Sequence, residues 1–136
     1  MKRLKLISFL LFLFAISSAS FAQDKTGKIY VIRRTGINGS AVNFRIFVDG
    51  ELICKMKNKT YSLHDLKLGE HTITVTSGGL PDSRNKVPVK FIVVDGKTNY
   101  FMINSGNELT CMEIMQSTAE PMIARSVEVR DCLGSK

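Results

Sequence analysis

Residues 43–56, NFRIFVDGELICKM, decide the fold, because they have the pattern of two strands joined by a tight turn. Phe44, Ile46 and Val48 share one face of the first strand, and the residues between them share the other, as in a half-buried strand. Asp49-Gly50 then supplies the two positions that adopt positive φ in a type I′ turn. The stretch therefore predicts an antiparallel hairpin within a β-rich domain.

Strand patterns of the same kind continue on both sides of this hairpin. Short runs rich in Val, Ile, Phe, Tyr and Thr alternate with Gly, Asn and Asp. Asp95-Gly96 predicts a second hairpin turn, and Pro88, which has no N–H group, places its strand at a sheet edge. The predicted strands cover residues 28–34, 43–48, 51–56, 60–64, 71–76, 87–94, 98–103 and 109–116.

Seven or eight short strands in about 90 residues predict an all-β fold, either a sandwich or a barrel. We expect an antiparallel β-sandwich of immunoglobulin-like or transthyretin-like type. After residue 116 the pattern changes, and Ser117 or Thr118 is suited to cap a short helix over residues 119–125, with an irregular tail as the alternative. The predicted organisation is a signal peptide over residues 1–22, the sandwich over 23–116 and a C-terminal helix or tail over 117–136.

The first 22 residues have the features of a secretory signal peptide. Three cations among the first five residues precede an uncharged apolar run over residues 6–15, and Ser20 and Ala22 are the small residues that a cleavage site needs. A membrane-spanning helix needs roughly 20 apolar residues, about twice this run. A cleaved signal is therefore expected, with an uncleaved anchor as the alternative. The protein is expected outside the cytoplasm, in the periplasm, at the outer envelope or secreted.

Removing the signal leaves about 114 residues, which is enough for one domain. It also lowers the formal net charge from +7 to +4, because three of the 19 basic residues are lost. The remaining cations are spread along the chain and form no basic stripe with stacking aromatics, which argues against nucleic acid as a partner. No later segment is long and apolar enough to predict a transmembrane span.

Three cysteines, Cys54, Cys111 and Cys132, predict one disulfide and one remaining thiol in an oxidising compartment. We expect Cys111 to pair with Cys132, because that bond ties the C-terminal tail to the last strand. Closing a loop of about 20 residues contributes roughly 3 kcal/mol by chain entropy. Cys54 lies at an apolar strand position, which favours a buried, inert thiol. The three lie far apart and form no CxxC pair, which argues against a metal site.

Three stretches resemble a known bacterial family. They are IYVIRR at residues 29–34, IFVDGE at 46–51 and LKLGEHTITV at 66–75. Together they are similar to the domain of unknown function 2846, and the hairpin followed by a Leu-x-x-Gly-x-His strand also resembles PEGA-type surface modules. The resemblance implies an exported or envelope-associated β-sandwich with no established activity. The chain departs from it by lacking a lipid-acceptor Cys, and residues 105–136 fall outside the resemblance.

The candidate catalytic and metal-binding residues form no recognisable motif. His64 and His71 flank a bend that also contains Asp65 and Glu70, an arrangement that fits either a metal site or a pH switch. We favour structural roles for both histidines. A Cys54–His pair would need an exposed electropositive niche, whereas Cys54 has an inward strand position. The sequence therefore predicts no catalytic residues, no metal and no cofactor.

The expected function is that of a non-catalytic envelope module that binds a protein or a glycan. A secreted inhibitor or effector is the first alternative, and a Cys- or His-dependent enzyme the second. The expected binding surfaces are the loops at residues 36–41 and 77–86, made basic by Arg33, Arg34, Arg84 and Lys86. Aromatic residues suit either the core, which strand spacing favours, or a sugar-stacking platform: Phe44, Phe47, Tyr61, Tyr100 and Phe101.

Overall fold

The structure is a computed structural model that describes residues 24–37, 40–78, 87–106 and 108–134. The predicted signal peptide lies outside these residues. The described chain contains nine strands and one helix, named here in chain order. They are β1 (Thr26–Arg33), β2 (Phe44–Val48), β3 (Glu51–Met56), β4 (Thr60–Lys67), β5 (Gly69–Ser77), β6 (Val89–Val93), β7 (Thr98–Ser105), β8 (Leu109–Ile114), α1 (Gln116–Ala124) and β9 (Val127–Glu128).

The strands form two sheets, which confirms the predicted β-sandwich. The five-stranded sheet has the order β8-β7-β1-β4-β9, and the four-stranded sheet has the order β3-β2-β5-β6. Most neighbours are antiparallel, but β1 pairs with β7 and β4 pairs with β9 in parallel. β1 is therefore the central strand of its sheet, with an antiparallel partner on one side and a parallel partner on the other.

The hairpin predicted at Asp49-Gly50 is confirmed. Both residues have positive φ, at 51° and 80°, and β2 pairs with β3 in antiparallel register. The edge position predicted from Pro88 is also confirmed, because β6 is the last strand of its sheet. Both predictions rest on local backbone restrictions that hold in any tertiary arrangement.

The second predicted hairpin, at Asp95-Gly96, is wrong. The turn is present, with Gly96 at φ 71°, but β6 pairs with β5 while β7 joins the other sheet beside β1. The chain therefore crosses between the layers at this turn. Phe91 on β6 and Phe101 on β7 then meet edge to face in the core, with ring centroids 4.8 Å apart. A tight turn reverses the direction of the chain. Side-chain burial decides whether the two strands pair within one sheet or lie in opposite sheets.

The core lies between the two sheets and consists of the inward-facing residues, which alternate with outward-facing ones along each strand. Burial of a single Ile, Val or Phe side chain contributes about 1.5–3 kcal/mol, so this layer supplies most of the stabilisation. Its fully buried members include Ile29, Val31, Ile46, Met56, Ile73, Phe101 and Ile103. They come from both sheets, which is why neither sheet is expected to persist alone.

The predicted C-terminal helix is confirmed, but it begins at Gln116 and not at residue 119. The predicted cap by Ser117 or Thr118 is wrong, because both lie inside the helix and the N-cap is Met115, which offers no side-chain hydrogen bond. Ala119 is fully buried where α1 packs against β7 and β1. Packing on the sheet therefore sets the start of the helix, overriding the local capping preference.

The disulfide predicted between Cys111 and Cys132 is also wrong. Cys132 pairs with Cys54, and Cys111 is the free thiol of the described residues. Cys111 lies on β8, at one edge of the five-stranded sheet, whereas the residues before Cys132 form β9 at the opposite edge. Four strand spacings separate these edges by roughly 19 Å, far beyond the Cα separation that a disulfide allows. Cys54 on β3 is the half-cystine that the tail reaches.

Candidate functional site

The C-terminal tail, residues 127–134, crosses from one sheet to the other and closes one side of the sandwich. It first runs beside β4, where the Val129 amide donates to the Tyr61 carbonyl at 2.8 Å. It then reaches β3, where the Lys55 amide donates to the Cys132 carbonyl at 2.8 Å. The disulfide to Cys54 fixes this second contact.

An open cavity of about 460 Å³ lies beside this crossing and is named here the seam groove. Within the described residues, β9 pairs with β4 at Thr60 and Tyr61 alone, so the later part of the β4 edge has no strand partner. The groove lies along that free edge. It is lined by Ile53, Leu63, His64, Glu128, Val129, Arg130, Asp131, Cys132 and Leu133.

The lining combines an apolar floor with a charged rim. Ile53, Leu63 and Val129 are partly buried hydrophobic residues, and Leu133 is 54% exposed. On the rim, Arg130 Nε lies 3.4 Å from Glu128 Oε2. An apolar floor with a few convergent polar groups is the usual composition of a ligand-binding cavity.

His64 and the disulfide form the inner wall of the groove. The sulfurs of Cys54 and Cys132 and a ring nitrogen of His64 lie within 4.8 Å of one another. His64 Nε2 lies 3.0 Å from Ser62 Oγ, and the Ser62 hydroxyl donates to Met56 Sδ at 3.6 Å. Ser62 therefore holds the ring at Nε2 and leaves Nδ1 outside that hydrogen bond. Burial lowers the pKa of His64, which favours the neutral ring.

Arg33 and Arg34, the two predicted binding residues that the structure describes, do not form an exposed basic surface. Arg33 is fully buried, which contradicts its predicted surface role, because it continues the inward face of β1 after Ile29 and Val31. Arg34 is half-buried, and its Nη1 donates to the Arg125 carbonyl at 3.5 Å. Arg84 and Lys86 lie outside the described residues.

The two histidines lie on different sheets, so they do not form the shared site that the sequence left open. His71 on β5 lies beside the β2–β3 hairpin, with Nδ1 2.6 Å from Asp49 Oδ2 and Nε2 2.8 Å from the Lys67 carbonyl. The hydrogen bond that His71 Nδ1–H donates to the Asp49 carboxylate raises the pKa of His71 and lowers the pKa of Asp49. The pair ties the hairpin to the corner where β4 leads into β5.

The Asp49–His71 pair predicts a pH-dependent stability. Because the pKa of His71 is raised in the folded protein, the pair contributes to the free energy of unfolding. This contribution is complete below pH about 6.5 and is lost as pH rises through the folded-state pKa of His71. The lowered pKa of Asp49 gives a second contribution to stability, which is present above pH about 4 and is lost as pH falls through the folded-state pKa of Asp49. We expect His71→Gln to lower the free energy of unfolding by about 1 kcal/mol at pH 5.5 and by less at pH 8.5. The effect is small because Asp49 is half exposed and solvent weakens the pair.

Urea unfolding at the two pH values measures this effect. Asp49→Asn is the matched variant, because Asn also tolerates the turn conformation and removes only the charge. Both variants are expected to flatten the stability profile between pH 5.5 and 8.5. If the free energy of unfolding of both variants still changed with pH as it does in the unmodified protein, another group would be responsible for the pH dependence.

The five aromatic candidates separate into three places, and Phe47 lies half-buried on the face of β2 that points away from the core. Phe44 and Phe101 are buried, as the core interpretation requires. Tyr61 and Tyr100 instead join Tyr30 in a row across β4, β1 and β7 on the outer face of the five-stranded sheet, and all three are half-buried. The rings of Tyr30 and Tyr100 stack with centroids 5.3 Å apart, and those of Tyr30 and Tyr61 are 6.0 Å apart. This row is named here the tyrosine row.

Apart from Cys132, the groove residues of the C-terminal tail were not among the sequence-predicted candidates. The sequence pattern that could have indicated these residues is short. Val127 and Val129 alternate with Glu128 and Arg130, which is typical of a strand, and a cysteine follows. Such a pattern indicates a strand but not which sheet edge it joins. The groove exists because the tail joins β4 briefly and then leaves for β3.

No helix in the described part of the chain is long and apolar enough to cross a membrane. The fold and the groove define a small β-sandwich protein whose C-terminal tail is tied down by a disulfide.

Residues 23–113 match the family described as protein of unknown function (DUF2846), and the chain belongs to that family. This confirms the resemblance drawn from the sequence. The match ends before α1, so the tail residues that line the groove lie beyond it. Searches of curated proteins and of solved structures found no match.

Proposed function

We propose that the protein is an exported, non-catalytic binding module whose seam groove holds an extended segment of a partner protein. The observation that supports this most directly is the edge of β4 beyond Tyr61, which pairs with no strand among the described residues and lies beside an open cavity of about 460 Å³. An unpaired strand edge offers backbone donors and acceptors to an added strand, and a neighbouring groove takes alternate side chains of that strand.

The lining of the groove suits an extended peptide. Its apolar floor, at Ile53, Leu63 and Val129, would take one or two hydrophobic side chains, and each would gain by leaving water. Its charged rim, at Glu128, Arg130 and Asp131, would fix the direction of the peptide. The free thiol is a poor candidate for catalysis, because burial raises the pKa of Cys111 to about 12.

Two features support export. The first 22 residues have the charge, apolar run and small residues of a secretory signal. The Cys54–Cys132 disulfide is the kind of bond that persists in oxidising compartments outside the cytoplasm. Residues from 23 onward form the proposed mature protein, which would act in the periplasm, at the outer envelope or after secretion.

Peptide selection followed by site mapping tests this function. A display library of random ten-residue peptides is selected on the mature protein, and the selected peptide is added to isotope-labelled protein. We expect the backbone amides of Leu63, Asp65 and Lys67 to shift and to gain protection from hydrogen exchange, since they face the same edge as the Tyr61 carbonyl that accepts from Val129. Arg130→Glu is expected to weaken binding about tenfold, equivalent to about 1.4 kcal/mol.

Lys97→Glu is the matched control, because it makes the same charge change at an exposed turn outside the groove lining. Its affinity should stay within about twofold of the unmodified protein. Peptides that shift a different surface, or that respond equally to both variants, would show that the groove is not the binding site.

Glycan binding at the tyrosine row is the second candidate, favoured by the three contacting rings on one surface. Tyrosine combines an apolar ring with a hydroxyl group, which suits contact with sugars. A glycan array distinguishes the two candidates: binding that Tyr30→Ala reduces about tenfold and that Arg130→Glu leaves unchanged would place the ligand on the tyrosine row.

A further inference from the structure

We propose that reduction of the Cys54–Cys132 disulfide converts the inner wall of the seam groove into a binding site for a thiophilic metal ion of the Zn²⁺ class, with His64 as the third ligand. The disulfide and His64 come from three separate parts of the chain, on β3, β4 and the C-terminal tail. Their candidate ligand atoms lie within 4.8 Å of one another. The ligand atoms of a tetrahedral zinc ion are about 3.5–4 Å apart, so modest movement brings the three to coordinating distance.

The three ligands have the chemistry that such an ion prefers. Two thiolates and one neutral imidazole bind Zn²⁺ strongly, and hard ions such as Mg²⁺ bind this set poorly. Two thiolates also balance the charge of a divalent ion. The resulting neutral complex suits the sandwich edge, where Cys54 is fully buried.

The surroundings of His64 prepare it as a ligand. Ser62 Oγ lies 3.0 Å from Nε2, so it can accept from Nε2–H when Nδ1 binds the ion, while its own hydroxyl points to Met56 Sδ. A hydrogen bond of this kind to the second ring nitrogen is the usual partner of a metal-bound histidine. Ser62 is itself fully buried, which fixes the direction of that bond.

The groove gives the ion a route to the site. Cys132 and His64 line the cavity, whereas Cys54 lies behind them in the core. Cys132 belongs to the irregular end of the tail, so its sulfur can withdraw from Cys54 after reduction without disturbing a strand. Solvent in the groove would supply the fourth ligand, as at open zinc sites.

A dithiol reductant gives two electrons and two protons to the Cys54–Cys132 bond and becomes a disulfide itself. The S–S bond of the protein breaks, and two thiols form. Binding of Zn²⁺ then releases the two thiol protons to solvent and forms two Zn–S bonds and one Zn–N bond. Reoxidation reverses both steps and expels the ion.

Metal titration of the mature protein in its two redox states tests this inference. The protein carries Cys111→Ser to remove the third thiol, and a phosphine reduces the disulfide while taking the oxygen of water to become its oxide. Zn²⁺ is titrated against a chromophoric chelator, and Co²⁺ is added to a parallel sample. We expect one ion per reduced chain, a thiolate-to-cobalt charge-transfer band, and no binding to the oxidised chain.

Single substitutions distinguish Zn²⁺ binding at the three-ligand site from binding by the two thiols alone. His64→Ala is expected to weaken Zn²⁺ binding to the reduced chain about 100-fold, and Ser62→Ala about tenfold. His71→Ala removes the other histidine and should change the affinity less than twofold, since His71 lies on the other sheet. Circular dichroism follows whether the reduced chain keeps or regains its sheet structure with Zn²⁺.

Three results would overturn the proposal. The reduced chain binds no Zn²⁺, or His64→Ala and His71→Ala give equal affinities, or the reduced chain stays unfolded in the presence of the ion. None of these affects peptide binding by the oxidised protein, so the metal site and the proposed function are tested independently.

Discussion

Replacing Cys54 and Cys132 together with alanine is expected to lower the free energy of unfolding by about 4–5 kcal/mol. The disulfide joins two residues that are 78 positions apart, and the segment between them includes most of the sandwich. In the chain-entropy description, the loss of conformations in the unfolded chain grows with the length of the closed loop. The pairing predicted from the sequence, across about 20 residues, would contribute roughly 3 kcal/mol.

The melting temperature of this double variant should fall by roughly 15–20 °C, given about 4 °C per kcal/mol for a domain of this size. Thermal and urea unfolding followed by circular dichroism measure the two quantities. Cys111→Ser is the matched control: it changes the free thiol on β8 and leaves the disulfide intact, and it should cost no more than about 1 kcal/mol. A Cys111→Ser variant as unstable as the double variant would contradict the pairing seen in the structure.

The disulfide also holds the tail that forms one side of the groove, so its removal should weaken peptide binding. Without the bond, the contact between the Lys55 amide and the Cys132 carbonyl has to form unaided. The tail beyond β9 would then spend part of its time away from β3. We therefore expect the same double variant to bind selected peptides more weakly even at temperatures where the sandwich stays folded.

Arg33→Ala is expected to be the second large perturbation, with a loss of about 3 kcal/mol. The guanidinium of Arg33 stacks on Phe44, with Cζ 3.6 Å from the ring centroid, and donates from Nη1 to the Met56 carbonyl. Burial lowers the pKa of Arg33 to about 10, so the side chain remains charged at neutral pH. Truncation would remove this packing and leave the Met56 carbonyl without that donor.

Two further substitutions separate the charge of Arg33 from its volume. Arg33→Met keeps a long side chain over Phe44 and should cost only about 1 kcal/mol, since removal of a buried charge offsets part of the lost hydrogen bond. Arg34→Ala changes the neighbouring, half-buried arginine and should cost less than about 0.5 kcal/mol. Urea unfolding provides all three values. Equal losses for Arg33→Ala and Arg34→Ala would show that Arg33 is not part of the core.

Local rules were sufficient wherever the answer depended on a few neighbouring residues. Asp49-Gly50 specified a hairpin because few residue pairs adopt positive φ twice in succession. Pro88 specified an edge because it cannot donate to a neighbouring strand. The buried position of Arg33 was also readable, since it continues the alternation of Ile29 and Val31, and its charge led to the surface prediction.

Eight of the nine described strands, the central hairpin, the all-β class and the family were predictable from the sequence, whereas β9 was not predicted. Tertiary structure alone decided that the Asp95-Gly96 turn crosses between the sheets, that Cys132 reaches Cys54, and that His64 lies beside both sulfurs. Local patterns restrict backbone angles and assign a face to each side chain, and these restrictions extend over only a few residues. The pairing of distant strands depends on which arrangement buries the whole core best, because the energies of many inward-facing residues add up. The groove is a product of that pairing, since it lies where the tail leaves the edge of β4 for the edge of β3.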